Sequence, residues 1–214
     1  MMKCVSCGKR KAKRQCPALR GSICPVCCGE KRGVEIRCPL DCVYFVEGQK
    51  HQQLKVMHQR LKKEGAVSYV RRAELYNRNP EVFARIEKIF ADSFRANRKL
   101  RNEDVVSALT LVKNTLDTEK KGLIYQHQGE NSYANELSTR ILIALTDLKD
   151  DPEIREDRVT IEFAGGLVDE FLKEAKFYME NDSNPESYLI HILRYYPEDE
   201  AAPGKQNDQL IIMP

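Results

Sequence analysis

The chain has 214 residues, 42% hydrophobic and 31% charged, a balance that excludes a wholly disordered polypeptide and fits one or two globular domains. No apolar run approaches the roughly 20 residues of a membrane-spanning helix, and the charged start MMKCVSCGKR lacks the apolar stretch of a secretory signal. The formal net charge is only +3, and the absence of Trp with 7% aromatics argues against extensive base-stacking surfaces.

All eight cysteines fall in the first 42 residues, as Cys4, Cys7, Cys16, Cys24, Cys27, Cys28, Cys38 and Cys42. Eight thiols suit a disulfide framework only in an oxidising compartment. With no export signal in view, metal binding in a reducing, cytoplasmic setting is the better reading. The spacing contains two CxxC pairs, Cys4/Cys7 and Cys24/Cys27, and one CxxxC pair, Cys38/Cys42. Zinc takes four soft ligands in a tetrahedron, and paired thiolates on a tight turn supply two of them from one short loop. Gly8 and Gly29 suit the turns that follow the pairs, and Pro25 and Pro39 stiffen the loops that hold the sulfurs.

Eight ligands predict two Zn²⁺ sites of four sulfurs each. The preferred assignment is Cys4, Cys7, Cys24 and Cys27 on one ion, with Cys16, Cys28, Cys38 and Cys42 on the other. Cys27 and Cys28 are adjacent and point apart, so each goes to a different ion; exchanging them is the near alternative. All-sulfur sites are as a rule structural, because catalytic zinc keeps an open position. A segment this short cannot build a sufficient core, so bound metal supplies much of its folding free energy. An iron–sulfur cluster is the weaker reading, since the closely repeated CxxCxxC run is missing.

The opening CxxC, the Cys16–Pro17 step, the CPVCC knot at 24–28 and the closing CxxxC resemble the small cross-brace zinc modules of the HIT and MYND kind. The pattern departs from both at ALRG (18–21), where those modules carry a second cysteine, and at Cys38, where they usually place a histidine. The resemblance covers residues 4–42 and implies a protein-interaction or assembly module without naming a partner. Residues 43–214 resemble no family.

Charge is polarised along the chain. Residues 1–42 carry ten Lys and Arg against three Asp and Glu, residues 43–102 fourteen against six, and residues 103–214 eleven against twenty-three. Eight thiolates around two dications would take the whole chain from +3 to −1, so its basic pI of 8.4 misleads. A candidate nucleic-acid or partner surface gathers Lys9, Arg10, Lys11, Lys13 and Arg14 with Arg95, Arg98, Lys99 and Arg101. The competing reading is a solvated face attracted to the acidic half.

From Cys42 onward the pattern turns helical. YFVEGQ (44–49) reads as an apolar exit that packs the module onto the body. Leu54, Met57 or His58, and Leu61 mark the buried stripe of a basic helix that Gly65 ends. A short helix over 66–78 presents Val70, Ala73 and Tyr76 or Tyr69, and Asn79–Pro80 opens the next, with Val82, Ile86, Ile89, Phe90 and Phe94. Asn102 is predicted to cap a helix from 103 to about 121 with the stripe Val105, Leu109, Val112 and Leu116, stopped by Gly122. After a loop at 123–129, a helix over 131–149 carries Tyr133, Leu137, Ile141, Ala144, Leu145 and Leu148, closed by Asp151–Pro152. RVTIEF (158–163) alternates like a strand but is read as a helix entry. Leu167, Val168, Phe171, Ala175 and Tyr178 then mark a helix over 164–180, and Pro185 opens a last one with Tyr188, Leu189, Ile192 and Tyr195.

The fold expected is mainly α: a small two-zinc module (1–42), a helical bundle (43–196) and a mobile acidic tail (197–214). Of the histidines, His51 and His58 share a helix face but are superfluous as ligands beside eight sulfurs, His127 sits alone in a loop, and His191 lies between Ile190 and Ile192. No phosphate-loop, serine-hydrolase, HExxH or dinucleotide motif is present, so no catalytic residue is assigned and the chain reads as a non-enzyme. The function expected is a zinc-dependent interaction protein that binds a protein partner or forms an oligomer and does not touch membranes. Nucleic-acid binding through the basic front half is the first alternative, and a thiol-based redox or zinc sensor is the second.

Overall fold

The computed structural model describes residues 2–150 and 159–196. Two strands and seven helices are described, so the chain is mainly helical with a cysteine-rich front. Strands β1 (Arg14–Cys16) and β2 (Gly21–Ile23) pair antiparallel, Arg14 opposite Ile23 and Cys16 opposite Gly21. The sequence pattern gave no sign of this hairpin, because three-residue strands are too short to show a period. Helix α1 (Pro25–Lys31) starts on Pro25, whose fixed φ suits a first helical position. Cys24–Cys28 is therefore the opening turn of a helix and not a loop, and Gly29 lies inside that helix.

Helix α2 (Val43–Arg78) begins directly after Cys42, so the apolar exit at 44–49 is the first part of this helix. Gly65 interrupts it with φ 73°, a left-handed conformation that side chains with a Cβ resist, and so marks the predicted break. The remaining helices are α3 (Pro80–Ala96), α4 (Asn102–Glu119), α5 (Ser132–Asp150), α6 (Ile161–Asn181) and α7 (Ser187–Leu193). Thr160 caps α6 by accepting from Phe163 N at 3.1 Å, so 159–163 is a helix entry and not a strand. The predicted stop at Asp151–Pro152 and the acidic tail lie outside the described residues.

Asn102 is the first residue of α4, and its side chain caps a different helix. It accepts from Tyr188 N at 3.2 Å and donates to Ser187 Oγ at 3.1 Å, tying the start of α4 to the start of α7. Asp104 takes over the local work, accepting from Arg101 N at 2.7 Å and from Asn131 Nδ2 at 2.6 Å. Asn131 in turn accepts from Tyr133 N and Ala134 N and so caps α5.

The main core is continuous through the bundle. Helix α4 packs on α5 and α6, α3 on α5 and α7, and α2 lies along α6 and α3. The stripes read from α3, α4, α5 and α6 are buried except for half-buried Tyr133, and the rings of Phe83, Phe171, Phe90 and Tyr188 run through the centre at 5.3, 5.7 and 6.2 Å between successive centroids. Helix α2 is the exception. Its inward face is Gln49, Gln53, Val56 and Arg60, whereas Leu54, Met57 and Leu61 are 53%, 45% and 40% exposed. No described helix is long and apolar enough to cross a membrane.

A second, smaller apolar cluster consists of Cys4, Cys16, Ile23, Cys24, Cys27 and Ile36. Cys38 packs against both clusters, and Phe45, in the first turn of α2, belongs to the main one. Arg32 reaches across to donate to the Tyr44 carbonyl. It can do so because residue 48 is glycine: a Cβ there would run into the Arg32 guanidinium.

Candidate metal centre

Cys4 and Cys7 sit on a turn closed by Gly8 N donating to the Cys4 carbonyl at 2.8 Å, with Gly8 at φ 64°. That turn is pinned at one side by Cys4 N to the Arg10 carbonyl and at the other by Val5 N to the Ser22 carbonyl, both at 2.9 Å. β2 leads straight into Cys24, which forms the N-cap of α1, its Sγ accepting from Cys27 N at 3.4 Å. One helical turn separates Cys24 from Cys27, so both sulfurs face the Cys4–Cys7 turn. The result is a cluster in which the four Sγ atoms all lie within 4.8 Å of one another. Sulfurs at ~2.3 Å from a tetrahedral Zn²⁺ would be roughly 3.8 Å apart, well inside that spread. The donor set is sulfur only and largely buried, which fits a soft or borderline ion and leaves no open ligand position.

The thiols perturb one another strongly. Burial pushes the Cys4 thiol up, but hydrogen bonding from the backbone of Cys24, Cys7 and Ser6 outweighs it and brings the value down to about 6. Cys27 is pushed up to about 12, first by Cys24 beside it and then by burial. Arg10 is raised, first by its hydrogen bond to Cys24, so this arginine turns toward the cluster. Four thiolates this close repel one another, and a dication is the natural way to let all of them ionise together.

The other four cysteines line one small cavity of about 10 Å³ at the module's contact with α2, beside Ile23, Tyr44 and Phe45. That volume suits a single ion or water and no organic ligand. Cys16 comes from β1, Cys28 from α1, and Cys38 and Cys42 from the approach to α2. Cys38 is raised by burial and then by the neighbouring charges of Cys42, Cys16 and Cys28, so the four sense each other. Among the described residues, however, only the first set closes to within 4.8 Å.

The predicted basic residues divide into two kinds. Lys9, Lys11, Lys13 and Lys99 are exposed, as is the Arg10 residue despite its bond to Cys24. Arg14 donates to Cys28 Sγ at 3.4 Å and stacks over the Tyr44 ring at 4.5 Å. Arg95 bonds Asp92 at 3.1 Å and the Tyr196 carbonyl. Arg98 and Arg101 share Glu186 at 2.9 and 2.7 Å, with Arg98 also over the Phe94 ring. The body arginines are thus spent largely on internal partners.

The histidines form no site together. His51 and His58 are exposed on α2, and His127 is held to α4 by Thr118 Oγ1 at 2.9 Å. His191 is turned into the bundle and stacks on Tyr178 at 5.0 Å. Sequence reasoning placed Tyr44 and Gly48 in the segment that packs the module onto the body but missed Arg32 and the way the three join the module to α2. The only sequence sign of that join was the unexplained glycine inside a helical run. Comparison of the chain with protein families, with curated proteins and with solved structures gives no match.

Proposed function

We propose that the chain is a non-enzymatic zinc-binding interaction protein whose module takes two Zn²⁺, the first on Cys4, Cys7, Cys24 and Cys27 and the second on Cys16, Cys28, Cys38 and Cys42. The carrying observation is the convergence of the first four sulfurs, with the other four lining one ion-sized cavity. Two alternating sets brace a segment that has little apolar core of its own. An all-thiolate tetrahedron holds structure and offers no place for substrate, which supports a binding role over a catalytic one. The interaction reading draws on the outward apolar stripe of α2, Leu54, Met57 and Leu61, which protrudes from a helix whose inner face is polar.

The test is elemental analysis of reduced protein, with two zinc ions per chain expected. Cys24→Ser and Cys42→Ser should each remove one. A metal-free wild type would overturn the metal reading. For the interaction, light scattering and partner capture on wild type and Met57→Glu should show an assembly lost in the variant. An assembly unchanged by Met57→Glu would place the contact elsewhere.

A further inference from the structure

We propose that a cationic pocket at the seam between the cysteine module and α2 is a phosphate-binding site. The pocket has a volume of about 410 Å³ and is lined by Arg14 from β1, Arg32 from beyond α1, and Tyr44, Glu47, Lys50 and His51 from the first turns of α2. Three permanent cations and an imidazole therefore face a single carboxylate.

The two guanidiniums are held in place before any ligand arrives. Arg14 is fixed by the Tyr44 ring and by Cys28 Sγ. Arg32 is fixed by the Tyr44 carbonyl and by the bare backbone of Gly48. Among the described residues, none of Arg14, Arg32, Lys50 and His51 has a carboxylate within ion-pair distance. This contrasts with Arg98 and Arg101, which the fold neutralises with Glu186. Like charges gathered on the walls of one cavity repel, and a bound anion relieves that repulsion.

A phosphate fits better than a carboxylate. It brings up to two charges and three or more acceptor oxygens to donors that approach from several elements, and guanidinium forks match its geometry. The pocket is far larger than a bare phosphate, so the group arrives attached to something. A phosphorylated small molecule and the backbone of a nucleic-acid strand present the same chemistry, and the experiment separates them. The proposal stands on the pocket's own geometry, and because Cys28, which holds Arg14, also belongs to the second proposed zinc set, the metal content is followed alongside.

The experiment titrates the full chain, as purified and at low salt, with pyrophosphate, with AMP and with a short labelled single-stranded RNA, using polyglutamate as the competing polyanion. Its zinc content is measured on the same sample, so a failure of the metal reading is seen separately. Lys50→Glu is the test variant, because Lys50 is exposed, and circular dichroism on the variant checks that its fold is retained. Binding of pyrophosphate or AMP, weakened about tenfold or more in Lys50→Glu, supports the site and a small-molecule source. Binding of RNA alone, with the same loss in Lys50→Glu, supports the site and a strand source. Binding of no phosphate probe, binding indifferent to Lys50→Glu, or displacement by polyglutamate as effective as by pyrophosphate would each overturn the proposal.

Discussion

Glu174 is a nearly buried carboxylate on α6, and two arginines of α2 reach it: Arg60 at 3.0 Å and Arg72 at 2.6 Å. Burial pushes its carboxyl up, but Arg72, then His191, then Arg60 outweigh that and hold it below the ordinary range. A depressed folded value means stability that is complete above the unfolded value near 4.5 and is lost as pH falls through the folded one. His191 adds to the same slope from higher pH. Burial lowers it despite the nearby Glu174, so the unfolded chain takes up a proton below about 6.5 before the folded chain does. Two outcomes are expected from urea denaturation. Glu174→Gln should cost about 3 kcal/mol at neutral pH, because it leaves two partly buried guanidiniums poorly paired. His191→Phe should flatten the fall in stability between pH 7 and pH 5, which is the window its lowered value assigns to it.

The element that departs most from its sequence pattern is α2. Spacing alone put Leu54, Met57 and Leu61 inside, yet the helix docks through Gln53, Val56 and Arg60. The reason lies in its partners: the face of α6 turned toward α2 offers Glu174, and a guanidinium is what a buried carboxylate requires. Since Met57 is exposed, Met57→Glu should change folding stability by no more than ~0.5 kcal/mol while removing any assembly built on that face. Thermal unfolding alongside light scattering reads both effects. Gly48→Ala belongs to the same element and should have a different profile. The added methyl displaces the far end of Arg32, a flexible side chain, so folding stability should change by no more than about 1 kcal/mol, while loss of the Arg32 contact with Tyr44 loosens the module, seen as faster hydrogen exchange over residues 30–48 with assembly unchanged.

At the scale of the molecule, two apolar clusters are stitched at Cys38. The larger holds the helices together through its own packing, and the smaller consists mostly of cysteines. If the proposed ions are bound, chelation of reduced protein should therefore release hydrogen-exchange protection over residues 2–42 and leave most of the helical signal in place, because it is the small cluster that the ions would brace. Collapse of the far-ultraviolet helical signal on chelation would show instead that the bundle leans on the module.

How much was legible from residues alone differs between the two ends of the chain. The cysteine spacing was sufficient to mark the pairs Cys4/Cys7 and Cys24/Cys27, since sulfurs three residues apart share a turn whatever surrounds them, but it left Cys28 as the near alternative to Cys27, and only the folded module brings Cys27 to the first set. The stripes of α3 to α6 were equally plain, because burying an apolar face is a local demand with a local period. Three-residue strands and a seven-residue helix left no period to read, and only the assembled module reveals that Cys24 caps that helix. Which side of α2 faces inward, why Asn102 serves α7, and how Arg14 and Arg32 meet over Tyr44 depend on partners distant in the chain. Those choices were settled by tertiary packing, because a buried charge or amide goes where its counterpart lies, and a linear pattern does not record where that is.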